Sequence, residues 1–352
     1  MPLREIATAL AEGMYPEVPE LGEKTPKPKK EGPKPHISRD LWEKWDDPLD
    51  AITRQDIERL SIEECYQVLE FFQQRKGPIG AVIESIRGQI SLAQNMFRAI
   101  EGMRKGGKSM DQKLLHVMKH EKAFLDDLQN AGLRIKYQSD LSVEEIDERP
   151  NLILMTHQGG GGENYAHQAI TGIPGRLVVK DSLMKIPYIR EGLHRRGAIP
   201  VNRSALKDQR RPQEIAKIAK EIAEELGRGG NVYMFIEGTR SRNGAIAATD
   251  GRLKWAEEIL AEIEKQADHV NFQKLMLVVN TMTAMPDAPE EKGFKTRFRA
   301  KGATLSACLM RADHFTDLDS DDPYDQTTLF GTARAALKEM LIDAILVYQK
   351  EQ

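Results

Sequence analysis

The chain has 352 residues, of which 30% are charged and 40% belong to the hydrophobic set, and its net charge is −3. That profile is ordinary for a soluble globular protein of about two domains, and it carries no global drive toward nucleic acid. The two cysteines, Cys65 and Cys308, lie far apart without CxxC spacing, so a disulfide framework, a zinc site and a redox cofactor have no basis in the composition.

The first residues, MPLREIATALAEGMYPEV, carry acids and lack a basic start followed by an apolar core, so no secretory signal is expected. The longest apolar runs, such as LMLVV at 275–279, are too short to span a bilayer. The expected location is therefore cytoplasmic, with peripheral contact on the inner face of a membrane left open. Residues 1–37 form a flexible N-terminal segment. Within it 15–36 is rich in Pro and Lys, which suits an extended tether or a contact with anionic lipid.

Residues 38–140 are expected to form a helical domain, with helical texture from 38 to 135. SRDLWEKW and SIEECYQVLEFFQQR have capped, amphipathic patterns. From Ile79 to Arg104 the apolar positions 79, 82, 83, 86, 90, 93, 96, 97, 100 and 103 keep helical spacing. GMRKGGKS (102–109) matches the phosphate-loop pattern, but the residues before it continue a helix where a phosphate loop requires a strand. The segment reads instead as a helix end followed by a new helix start.

From 141 to 352 an α/β domain is expected. Short β-type runs occur at 151–156, 176–180, 198–201, 231–236 and 274–280. Helical stretches at 182–195, 212–227 and 252–266 separate them, and 328–349 forms a final amphipathic helix. The fold class is α/β, a mixed sheet flanked by helices and preceded by helical structure. The acidic run 313–326 fails as a calcium loop, because Asp322 stands where glycine is required and Thr328 where glutamate is.

Three segments fall at strand ends, where chemistry collects in such sheets. The first is His157 with four glycines and Glu163. The second is GAIPVNRS (197–204) with Arg203, in a neighbourhood that also holds Arg195, Arg196, Lys207, Arg210 and Arg211. The third is FIEGTRSRNG (235–244), in which Gly238 permits close backbone approach and Arg240 and Arg242 suit a phosphate. A surface turn explains the third segment as well on composition alone. Cations and arginine forks together point to an anionic, phosphorylated substrate or a membrane surface.

The order of these segments resembles the glycerolipid acyltransferase superfamily over about 150–285. FIEGTRSRNG resembles the family's Glu-Gly-Thr-Arg-Ser block. KDSLMKIPYIREGLHRRGAIPVNRS (180–204) resembles its Lys-x-x-Leu to Arg block. LMLVVNTMTA (275–284) stands where a final strand block belongs but lacks the usual Val-Pro-Val. The resemblance implies that His157 is the general base. It also implies that Arg203, Glu237, Gly238, Thr239, Arg240 and Ser241 bind the acceptor phosphate. The family's first block is H-x-x-x-x-D, whereas here Gly162 stands at the Asp position and Glu163 one residue later. Glu163 is one methylene longer than Asp, and the glycines absorb the added residue, so it can orient the His157 ring; a carboxylate from elsewhere in the chain is the rival. His167 is the weaker candidate base and reads as a packing or surface histidine.

The implied activity is O-acyl transfer from acyl-CoA or acyl-carrier protein, as co-substrate, to glycerol 3-phosphate in phospholipid biosynthesis. Lysophosphatidate as acceptor remains an alternative, as does a catalytically impaired relative that binds phospholipid.

Overall fold

The computed structural model describes residues 53–74, 78–104, 108–156, 163–237, 246, 252–281 and 304–350. Four helices come first: α1 (Arg54–Glu58), α2 (Ile62–Gln74), α3 (Pro78–Arg104) and α4 (Met110–Asn130). Thr53 and Ser109 begin α1 and α4 with capping boxes, in which the N-cap hydroxyl accepts an N–H from Asp56 or Gln112 and that residue's side chain accepts the cap's own N–H. α3 and α4 approach so closely that a Cβ at Gly102 would collide with the His116 ring. SRDLWEKW lies outside the described residues.

The remaining elements, in chain order, are β1 (Arg134–Ser139), α5 (Val143–Asp147), β2 (Asn151–Met155), α6 (Glu163–Thr171) and β3 (Arg176–Lys180). Next come α7 (Pro187–Arg195), β4 (Ile199–Val201), α8 (Arg211–Gly227), β5 (Val232–Phe235), α9 (Arg252–Gln266), β6 (Gln273–Thr281), β7 (Thr304–Arg311) and α10 (Leu329–Lys350). Among the described residues the strands form one sheet in the order β1-β7-β6-β2-β5-β3-β4. β2 to β6 run parallel, β7 is antiparallel to β6, and β1 is parallel to β7, so the sheet is mixed and flanked by helices as the sequence implies.

β2 sits in the middle of this order, and NLILM is buried at every position. A run without alternation is what a strand covered on both faces requires. The amino ends of β2, β5 and β6 are clamped by amides. The Asn151 side chain donates to Asn231 Oδ1 (2.8 Å) and to the carbonyls of Ile146 (3.0 Å) and Arg149 (3.1 Å), while Gln273 Nε2 donates to Asn151 Oδ1 (2.5 Å). Register follows, with Leu152 opposite Val232 on one side and Lys274 on the other.

Three expectations change. The helical texture ends at Asn130, because RIKYQS (134–139) is strand β1. It lies at the sheet margin with polar, mostly exposed side chains and therefore lacks a buried period-2 signature. β7 also escapes the sequence reading. Finally, the helix expected over 182–195 is broken: a 3₁₀ turn covers Asp181–Lys185, Ile186 is extended (φ −84°, ψ 112°), and α7 begins at Pro187. Proline disfavours helical geometry in the residue before it and opens a helix readily at its first position.

Candidate active site

The carboxyl ends of β2, β5 and β6 are tied together at the last residue before His157. Thr156 N donates to Leu277 O (3.2 Å), Thr156 Oγ1 accepts from Val279 N (3.5 Å), and Ile236 N donates to Met155 O (3.1 Å). Glu237 follows directly and is 2% exposed. Chain connections part at this point. From β2 the chain passes through α6 to β3 on the β5 side, and from β5 it passes through α9 to β6 on the other side of β2. A crevice outside the carboxyl ends of strands at such a switch is where open α/β sheets bind ligands.

Arg203 lies two residues beyond β4, on the same edge, two strand positions from β5 or about 10 Å. Burial pulls its guanidinium down from the usual range, and the Asp181 carboxylate opposes that effect. A half-desolvated guanidinium at a strand end suits an anionic ligand, since the low dielectric strengthens charge pairing. The cations near it in sequence are mostly committed elsewhere. Arg195 pairs with Glu191 (2.9 Å), Arg210 with Asp208 (2.6 Å) and Arg211 with Glu258 (2.5 Å), while Arg196 is buried. The dense basic neighbourhood seen in sequence therefore narrows at this edge to Arg203 and the exposed Lys207.

His157, Gly238, Thr239, Arg240 and Ser241 lie outside the described residues. Glu163 is the first residue of α6, and its side chain is likewise outside them. The structure thus brings the approach to His157, the start of α6, Glu237 and Arg203 to one edge of the sheet. His167 is 1% exposed and meets the Tyr233 ring edge-on at 4.5 Å, the packing role expected for it.

The remaining sequence motifs have structural uses. Lys108 Nζ donates to Gly102 O (2.8 Å), closing the end of α3, and Ser109 caps α4, so GMRKGGKS is a helix junction. In the acidic run Asp319 pairs with Arg334 (2.7 Å) and Asp325 accepts from Thr327 and Ser320. Burial pushes the Cys65 thiol up to about 11, which removes it as a nucleophile near neutral pH. Among the described residues no helix is long and apolar enough to cross a membrane.

Sequence reasoning missed Glu121. It is fully buried, and its carboxylate accepts N–H groups from Gln168 (3.0 Å) and Ala169 (3.2 Å) of α6. The signal was present, because Glu121 interrupts the stripe Leu114, Val117, Phe124, Leu125 and Leu128 that α4 buries.

Residues 140–265 match the family model of the Acyltransferase domain. No curated protein matches the chain. Among solved structures, the 1-acyl-sn-glycerophosphate (LPA) acyltransferase PlsC from Thermotoga maritima is similar at 17% identity over 79% of this chain and 94% of that one, with a TM-score of 0.43. At that score the likeness establishes nothing further. The strand-end blocks described above fall within the matched span or close beyond it, so the likeness to the Acyltransferase family rests on residues 140–265, the part of the chain that carries them.

Proposed function

We propose that the protein transfers a fatty acyl group from a thioester, acyl-CoA or acyl-carrier protein, to the hydroxyl of glycerol 3-phosphate. The observation that carries this reading is the convergence of Thr156, Glu237 and Arg203 on one carboxyl edge within an acyltransferase domain. In this proposal the His157 imidazole takes the proton of the acceptor hydroxyl as its oxygen attacks the thioester carbonyl. The tetrahedral oxyanion collapses, the C–S bond breaks, and the imidazolium returns its proton to the leaving thiolate. The products are an ester and a free thiol. Glu163 orients the imidazole. As the first residue of α6, it sits where the helix dipole favours an ionised carboxylate. Arg203, Arg240 and Ser241 bind the acceptor phosphate, Gly238 and Thr239 let the backbone approach it, and Glu237 orders the site.

The block around Arg203 also resembles lysophosphatidate acyltransferases, which keeps that acceptor as the second reading. Thiol release from acyl-CoA or acyl-carrier protein, measured with glycerol 3-phosphate, dihydroxyacetone phosphate and lysophosphatidate in turn, separates the two. No transfer to any of them, with ligand binding retained, would leave a phospholipid-binding relative. Glu163→Gln is expected to lower kcat roughly 100-fold or more with little change in KM, the usual scale for a base that loses its support. Unchanged turnover removes Glu163 from the mechanism.

A further inference from the structure

Beneath the candidate site, the helical layer reaches into the α/β layer through one carboxylate. Glu121 of α4 is 0% exposed. Its Oε2 accepts two consecutive backbone N–H groups of α6, Gln168 (3.0 Å) and Ala169 (3.2 Å), and its Oε1 accepts from Gln168 Nε2 (3.5 Å). Gln168 Oε1 then accepts from Gly175 N (3.2 Å), just before β3. Among the described residues, the charged and titratable groups around this point include Arg196 at the end of α7, His167 on α6 and Tyr233 on β5. Tyr233 hydroxyl donates to Ile173 O (2.7 Å) and lies 2.7 Å from Thr171 Oγ1, so the last turn of α6 is held from a second side.

We propose that Glu121 is a positioning residue, which sets the rotation and depth of α6 and so the placement of its first turn, where Glu163 stands. The inference rests on the acyl-transfer reading and extends it to a residue outside the matched domain. Two adjacent amides and one side-chain amide converge on a single group, and the two oxygens of a carboxyl group can accept from all three. Bonds to consecutive amides fix the helix about its own axis, where apolar packing would tolerate sliding. Burial pushes the acid up to about 7, against the opposing pull of Arg196 and the two backbone N–H groups. A fully buried acid is a poor choice for stability alone, which favours a role in the site.

The test compares wild type with Glu121→Gln and with Gln168→Ala, which removes one arm of the network without touching the buried charge. Amide hydrogen exchange is read at residues 163–171 and at α8 as a distant reference. Steady-state kinetics use palmitoyl-CoA with glycerol 3-phosphate or lysophosphatidate. Exchange at 163–171 is expected to rise roughly tenfold in both variants while α8 is unchanged, a local loosening. Turnover is expected to fall roughly tenfold or more with KM for both substrates within about threefold, because misplacement costs the chemical step. Unchanged exchange at 163–171 overturns the proposal, as does exchange that rises equally everywhere, the mark of a merely structural residue. If wild type transfers no acyl group, the acyl-transfer reading falls on that result, and the exchange comparison still decides whether Glu121 anchors α6.

Discussion

Arg203 and Glu121 show how one side chain's surroundings decide its use. Arg203 is only partly buried, and among the described residues Asp181 opposes its desolvation, which suits a guanidinium that meets an anionic ligand. Arg203→Ala is expected to raise the KM for a phosphorylated acceptor roughly 10- to 100-fold with a smaller change in kcat, the scale of one or two charge-assisted hydrogen bonds. An unchanged acceptor KM would place the phosphate elsewhere. Glu121 is the reverse case, an acid whose folded-state pKa is raised from 4.5 to about 7 by burial. The folded state then holds a proton that the unfolded chain has already released. The associated stability is complete below the unfolded pKa and is lost as pH rises through the folded one. Between pH 4.5 and about 7 the wild type should lose about 3 kcal/mol from this group. Melting temperature measured across that window should fall with rising pH in wild type, and the slope should flatten in Glu121→Gln. Parallel slopes in the two proteins would show that Glu121 titrates normally.

Among the elements, α10 has a use that its amphipathic pattern does not announce. Arg334, with its side chain 9% exposed, forms a two-pronged pair with Asp319 (2.7 and 2.8 Å). It also donates to the carbonyls of Pro323 (3.0 Å) and Ile246 (2.9 Å). One guanidinium thus fastens the acidic run to the helix and holds Ile246, five residues beyond Ser241 in the chain. Arg334→Ala leaves Asp319 buried without its cation and should cost about 3–5 kcal/mol of unfolding free energy in denaturant titration. A loss below about 1 kcal/mol would mean that water replaces the pair.

Over the whole molecule, one hydrophobic core joins helices and sheet, running from Ile57 on α1 through Leu152 and Leu277 to Ile345 on α10. The matched domain stops at residue 265, yet β6, which pairs with β2 along its length, and β7 and α10 come later. A fragment of residues 140–265 would expose one edge of β2, a strand buried at every position, together with the side of α6 that packs on α4. It should be insoluble or lack cooperative unfolding by circular dichroism, whereas residues 53–352 should unfold cooperatively. A soluble, cooperatively folding fragment would show that the matched span is self-sufficient.

Much of this was legible in the residues alone. Apolar runs bounded by turn residues report burial of a local segment, so NLILM, RLVVK and VYMF announce β2, β3 and β5 without reference to their neighbours. The strand ends that precede His157, Arg203 and Glu237 in the chain were legible for the same reason. GMRKGGKS was readable as a helix junction for the same local reason. Pairing, however, is a property of distance in space. Only the fold shows that Arg195, Arg210 and Arg211 are committed to carboxylates. Only the fold adds the polar strand β1 beside β7, or turns Glu121 from a flaw in a hydrophobic stripe into an anchor for α6. Sequence periodicity determined what would be buried, and tertiary structure decided against what, because hydrogen bonds and ion pairs between segments far apart in the chain leave no periodic trace in either one.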